Sequence, residues 1–272
     1  MIYNSTGNPL FDEKMSDFLG NSSINYLRDS ATNTNYYVIR INKSKVDGQK
    51  QFPFVYAPNG SGAGTMSTLA MNKRDKWVLA INAGIANPTT LIPHNIIIQN
   101  GVVVKNDHLY ADALPLTIDG NGDLGYAAQD ADANTLVSNG IVSAICGFFP
   151  LVVDYDAVQE SVYNWLSHYN QSAQRQIIGQ FGNGDYCIVS CEGRDYNDSV
   201  GWTIAQAISV CQGLGLKFAY NLDGGGSVET VVGEKQVNTT YHSESYIEDT
   251  YGRIVSTYIC FNGDDTFFVP NQ

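Results

Sequence analysis

"SVGWTIAQAISVCQGLGLKFAYNLDGGGSVE" (residues 199–229) sets a helix, a strand and a glycine run end to end. Ile204, Ala207, Ile208, Cys211 and Leu214 recur at the spacing that puts one apolar stripe on a helix, with Ser199 as the expected cap and Gly213 or Gly215 as the stop. The following "LKFAYNLD" is aromatic and apolar enough for a buried strand. Three consecutive glycines after Asp223 give up side-chain packing and raise the entropy lost on folding, so they need a reason in backbone geometry. A helix feeding a strand points to an α+β fold.

Outward from this stretch, strands dominate. "YYVIRI" (36–41), "FPFVY" (52–56), "WVLAIN" (77–82), "PLTID" (115–119), "YCIVSC" (186–191) and "IVSTYICF" (254–261) have strand length and composition. Asn100-Gly101 inside "IIIQNGVVV" predicts a hairpin, and the GNGD turns of "LTIDGNGDLGY" (116–126) and "IIGQFGNGDYCIV" (177–189) predict two more. A second helix is expected over 156–170, where Val158, Val162, Trp165 and Tyr169 follow Asp156 and Gln159 completes a capping box. Residues 1–35 are polar and interrupted, with one short amphipathic piece at 10–19, and read as an arm appended to a domain over 36–272. Residues 57–68 read as a loop or internal linker. The expectation is a mixed, sheet-dominated single domain with two main helices and several β-hairpins.

Composition narrows the function. The 272 residues are 43% hydrophobic, enough for a sizeable core, and the net charge of −12 argues against nucleic-acid partners. No apolar run reaches the roughly 18 residues of a spanning helix, and the N-terminal stretch lacks a basic segment followed by an apolar one, so neither membrane insertion nor a signal peptide is expected. Five cysteines without a C-x-x-C pair read as small buried hydrophobes. Asp119, Asn121 and Asp123 match the start of a calcium loop, but Leu124 stands where glycine is required, and the four histidines show no zinc spacing. No metal or cofactor is expected.

The glycine run suggests an anion site. With no Cβ in the way, the amides of Gly224, Gly225 and Gly226 can converge on one anionic oxygen, with Asp223 at the lip as general acid or base. The same residues suit a tight hairpin loop in which Asp223 caps its own turn. Arg194 would bring a bidentate cationic fork, or a structural ion pair, at the end of another strand. Asn82 closes a third strand before small residues.

"INAG" (81–84), "SAICGFFPLVV" (143–153), "RQIIGQFGNGDYCIVSCEGR" (175–194), the stretch 199–227 and "YGRIVSTYICF" (251–261) resemble, in that order, the phosphodiester glycosidase family, over about residues 77 to 262. The family's motif positions fall on Asn82, Arg175, Gly193, Arg194, Ser199, Gly201, Asn221, Asp223, Gly224, Gly225, Gly226, Ser227 and Arg253. Departures stand at Ala83 to Ala86, at Gln176 to Ile178 and at Val228. The resemblance implies hydrolysis between a sugar's anomeric carbon and a phosphodiester oxygen. Arg194 and Arg175 would hold phosphate with the loop amides, Asp223 would give acid or base assistance, and Glu192 would serve if a second carboxylate is needed, though it equally suits a solvated strand position. The expected partner is a sugar-phosphate or a cell-surface glycopolymer. The other reading is a non-catalytic carbohydrate-binding or structural module of a phage tail or surface assembly, extracellular or on a virion, with the arm docking onto a second copy or another virion protein.

Overall fold

Strands β12 (Arg175–Phe181), β13 (Tyr186–Cys191) and β14 (Leu216–Asn221) are buried on both faces, which explains why their sequences are apolar almost throughout. In β13, Tyr186 and Ile188 point into one core while Cys187, Val189 and Cys191 point into another. The computed structural model describes residues 5–58, 66–110, 112–195, 198–239 and 252–266. Within them these strands are the middle of a seven-stranded sheet, flanked by β2 (Thr34–Ile41) and β1 (Ser22–Asp29) on one side and by β10 (Phe149–Val153) and β11 (Asp156–Ala157) on the other. Every neighbouring pair is antiparallel.

Two five-stranded sheets cover one face of it. One runs β16 (Lys235–Gln236), β15 (Thr230–Val232), β4 (Leu79–Asn82), β17 (Tyr258–Phe261), β3 (Pro53–Tyr56). The other runs β6 (Val102–Lys105), β5 (Ile97–Gln99), β9 (Ile141–Ile145), β7 (Leu116–Asp119), β8 (Leu124–Tyr126). Ile39, Ile188 and Tyr220 meet Ile81 and Ile259 of one small sheet and Leu116 and Ile145 of the other in a common core. The opposite face packs against a helix, Ile204–Gly213, whose Ile204, Ala207, Ile208 and Cys211 are buried as its periodicity predicts. That helix is α4, after α1 (Pro9–Gly20), α2 (Thr68–Asp75) and α3 (Ala133–Ser138). The fold is mixed and sheet-dominated, as expected.

The hairpins form where the turn chemistry places them. Asn100 and Gly101 both have positive φ (49° and 74°) between β5 and β6. The Asp119 carboxylate accepts the N–H groups of Asn121 and Asp123, both at 2.8 Å, so the calcium-like triplet builds a turn between β7 and β8. All five cysteines are buried thiols, and burial pushes those of Cys187 and Cys191 up to about 12. Among the described residues no helix is long and apolar enough to cross a membrane.

Three expectations need correction. The first concerns the arm over 1–35, whose residues from 9 onward are part of the fold: α1 buries Phe11, Met15 and Phe18 in the main core, and β1 pairs with β2 over eight residues. The i, i+4, i+7 spacing of those three side chains carries the burial despite the polar residues around them. The second is the helix over 156–170. Asp154 and Tyr155 take positive φ (50° and 72°) and fold Asp156–Ala157 back onto β10, so the residues meant to start the helix extend a hairpin instead. Gln159 makes no capping hydrogen bond, and only a short 3-10 turn, Glu160–Val162, follows. Apart from Trp165 and Leu166, residues 163–170 are Tyr, Asn, Ser and His, all weak helix formers. Third, the cap of α4 is Thr203, in a full capping box with Gln206, and not Ser199. Part of the loop at 57–68 lies outside the described residues.

Candidate active site

Residues 222–229 carry the chain from β14 of the large sheet to β15 of a small one, so the glycine run is a crossover between sheets. Asn82, at the end of β4 and fully buried, clasps this crossover at both ends. Its Nδ2 donates to the Asp223 carbonyl at 2.7 Å, and its Oδ1 accepts the Glu229 N–H at 3.0 Å. The Asp223 N–H in turn donates to the Ala83 carbonyl at 2.9 Å. Asn82 therefore positions the loop, and its amide is not presented to a ligand.

The glycines are set by close approach. A Cβ on Gly224 would stand 2.9 Å from the Gln174 carbonyl oxygen, and Gly225 has φ +58° with the Arg194 guanidinium 3.0 Å from where its Cβ would be. The Gly225 N–H donates to the Gln174 carbonyl at 2.9 Å, and the Gly224 N–H bonds to the Asp223 carboxylate. Those two amides have protein partners, so the expected nest of three converging donors is not formed.

A cleft opens beside the loop, lined by Asp223, Ser227 and Arg253 and, across from them, by Gly84, Asn87 and Leu91. Its inner volume is about 30 Å³, room for a water or an oxygen substituent; a sugar ring would sit at its mouth. Burial pushes the Asp223 carboxyl above its ordinary value, against the opposing pull of the Ser227 hydroxyl, the Arg253 charge and the Gly224 amide. Arg253 reaches the Ser227 Oγ at 3.4 Å. Glu229, which the sequence reading missed, holds this wall in place: its buried carboxyl accepts the Thr68 N–H at 2.7 Å and the Gly252 N–H at 3.4 Å, next to Arg253. Burial raises the Glu229 carboxyl as well. A Cβ on Gly252 would lie 2.9 Å from the Glu229 Cδ, so glycine at 252 lets the two segments meet.

Asn221 ends β14 with a fully buried carboxamide whose Oδ1 has no hydrogen-bond partner among the described residues. Gln174, under the glycine loop, is likewise buried with neither amide atom bonded. Such orphaned groups are rare in folded chains and mark places where a ligand or water completes the bonding.

Other expected site residues lie apart from the cleft. Arg194, with left-handed φ of +60°, lines a second hollow together with His168. Arg175 is buried and donates to the carbonyls of Trp202 and Gln171, both at 2.8 Å, while burial lowers it to about 10. Glu192 is buried and turned toward β1, accepting from the Thr239 N–H at 2.9 Å and the Tyr26 hydroxyl at 3.3 Å. Neither a solvated strand residue nor a lining group of the cleft, it is bonded into the sheet. Ser199 accepts the Asn35 N–H at 2.9 Å, again away from the loop. The structure thus gathers Asn82, Asp223, the glycine loop, Ser227 and Arg253, and leaves Glu192 and Ser199 outside.

Comparison with known proteins bears on the family and the fold. A curated relative, the SPbeta prophage-derived uncharacterized protein YomE of Bacillus subtilis (strain 168), is 28% identical over an alignment of 229 residues that covers 78% of this chain and 35% of that protein; the chain thus spans about a third of its relative's length. The catalytic domain of zebrafish N-acetylglucosamine-1-phosphodiester α-N-acetylglucosaminidase, auto-inhibited by its pro-peptide, superposes with a TM-score of 0.69 at 18% identity, covering 89% of this chain and 82% of that one. A hypothetical protein from Synechocystis gives 0.65 at 12% identity, covering 88% and 61%. At such identities these two establish the shared fold. Residues 75–262 match the phosphodiester glycosidase family, and with more than half of its length inside that match the chain belongs to the phosphodiester glycosidase family.

Proposed function

We propose that the chain hydrolyses a glycosyl phosphodiester, releasing free sugar and leaving the phosphate on the other substituent. The observation that carries this reading is the pairing, in one cleft, of an Asp223 carboxyl held above its ordinary value with the Arg253 cation. A carboxyl so raised keeps its proton to higher pH, as a general acid requires. Arg253 is placed to offset the charge on a departing phosphate. In the reaction the bond between the anomeric carbon and the phosphodiester oxygen breaks, the Asp223 proton goes to that oxygen, and water supplies the new hydroxyl on the sugar. The Asp223 carboxylate then takes up the proton that water releases. The buried Asn221 Oδ1 has no hydrogen-bond partner among the described residues but lies outside the lining of this cleft, so it is given no part in the step.

The prophage origin of the relative supports a setting outside the cell or on a virion, with a cell-surface glycopolymer as substrate. The competing reading, a binding module without turnover, is separated from it by one measurement. Release of reducing sugar from a synthetic glycosyl phosphodiester is followed for the wild type and for Asp223→Asn. Loss of about 10²–10⁴-fold in kcat is expected for the variant. Equal rates, or none from the wild type with tight binding of the same compound, refute the hydrolytic reading.

A further inference from the structure

Leu91 has φ of +56°, whereas the other described non-glycine residues with positive φ are Asn, Asp, Lys, Tyr and Arg. A branched aliphatic residue gains nothing from that conformation, since its Cβ crowds a carbonyl oxygen and it has no polar group to bond the backbone nearby. The loop nonetheless holds it there. The Leu91 N–H donates to the Asn87 carbonyl at 2.8 Å, and the Leu91 carbonyl accepts the Ser256 hydroxyl. The Asn87 Oδ1 is committed to the same turn, accepting the N–H groups of Thr89 and Thr90, both at 2.9 Å, and the bridge between Ala86 and Pro93 closes its base. Strain fixed by that many bonds is characteristic of places where a site uses it. Packing does not account for the leucine either: among the described residues it belongs to none of the apolar clusters. It is half-buried and lines the Asp223 cleft.

The lining of that cleft is divided in character. Asp223, Ser227 and Arg253 are polar, while Leu91, with Ala86, Pro88 and Ile254, supplies apolar surface. We propose that Leu91 is a specificity-determining residue: it receives the C–H surface of a neutral sugar ring at the cleft mouth while the phosphodiester oxygen of that sugar faces Asp223, so that the preferred substrate carries an uncharged glycosyl unit. A sugar ring has C–H groups between its hydroxyls, and laying them on leucine removes apolar surface of both from water. A ring bearing a carboxylate would bring that charge against groups that offer it no partner, and is rejected for that reason. Leu91 contributes binding, not chemistry. That the bound sugar is a substrate rests on the hydrolytic reading of the Asp223 cleft; that Leu91 contacts it does not.

The test compares Leu91→Asn with Leu91→Ala. Both remove the apolar contact, but asparagine suits the left-handed backbone and alanine leaves it strained. Binding of two synthetic compounds with the same aglycone, a neutral hexosyl and a hexuronosyl phosphodiester, is measured by calorimetry on Asp223→Asn, with and without each substitution at 91. With Leu91 in place the neutral compound is expected to bind at least about tenfold tighter than the hexuronosyl one, and either substitution is expected to weaken the neutral compound about tenfold and to shrink the preference. In urea unfolding of the single variants, Leu91→Asn is expected to match or exceed the wild-type midpoint and Leu91→Ala to fall below it. A leucine with a merely structural role would give the reverse pattern, with both variants less stable and the affinity for the neutral compound unchanged. That pattern, no preference for the neutral compound, or a Leu91→Asn variant less stable than Leu91→Ala overturns the proposal. Affinities as expected with no sugar released by the wild type leave the Leu91 contact standing and refute the hydrolytic reading alone; sugar release with affinities indifferent to residue 91 does the opposite.

Discussion

Replacing Asn82 by alanine removes a side chain that bonds the glycine crossover at both ends. The Asp223 carbonyl loses its donor at 2.7 Å and the Glu229 N–H loses its acceptor at 3.0 Å, in surroundings where Asn82 has no exposure to water. Each buried group left unbonded costs about 1–3 kcal/mol, so the two together cost about 2–6 kcal/mol. For a domain of this size, about 4 kcal/mol lowers Tm by roughly 8–16 °C. Asn82→Asp keeps the acceptor for Glu229 but turns an oxygen toward the Asp223 carbonyl, and is expected to be no better. The assay is thermal and urea unfolding of both variants beside the wild type, with sugar release measured well below the lower Tm. A residue that contacted ligand and not the loop would show the opposite pattern. A Tm within about 2 °C of wild type, with activity lost, refutes the clasp.

Asp223→Asn carries a pH signature besides its loss of turnover. Because the folded carboxyl sits above its unfolded value, ionisation disfavours the native state, so wild-type stability is greatest below the unfolded value of 3.8 and declines as pH rises from there through the folded value. The variant is expected to be the more stable protein at pH 7, with its advantage vanishing below pH 3.8; an advantage that grew toward acid would contradict the burial argument. As general acid, Asp223 also requires kcat/KM, which reports the free enzyme, to fall as pH rises through that same raised value. Gly224→Ala forces a Cβ against the Gln174 carbonyl oxygen at 2.9 Å and is expected to cost about 1–3 kcal/mol, checked by urea unfolding. Phe18→Ala tests whether the N-terminal segment belongs to the core: a cost of about 3–5 kcal/mol is expected, and under about 1 kcal/mol would return α1 to the status of an appendage.

The large sheet was legible because its middle strands are apolar on both faces, as in "YCIVSC", and because the turns carry Asn-Gly and Gly-Asn-Gly, which local sterics tie to positive φ. The segment 156–170 was misread because Val158, Val162, Trp165 and Tyr169 repeat at helical spacing while two left-handed residues just upstream, Asp154 and Tyr155, redirect the chain. Neither is glycine, and the turn signal of Asp154 is outweighed by the helical spacing that follows it. Glu229 escaped notice for a related reason: a lone acidic residue after a glycine loop looks like a solvated one, and only the arrival of Thr68 and Gly252 makes it a buried brace.

By itself, the sequence determined what short-range sterics and hydrophobic period control: a sheet-dominated α+β chain, three hairpins, one amphipathic helix over 204–213, and a glycine run after Asp223 that backbone geometry must explain; that the run crosses between two sheets came only with the structure. Which charges meet is another matter, since it depends on contacts between residues far apart in the chain. The tertiary structure alone brings Arg253 to Asp223, seats Arg194 with His168 in a separate hollow, and bonds Glu192 away from both. The glycines, too, were legible as a geometric requirement, but only packing reveals that the requirement is the Gln174 carbonyl and the Arg194 guanidinium pressed against them.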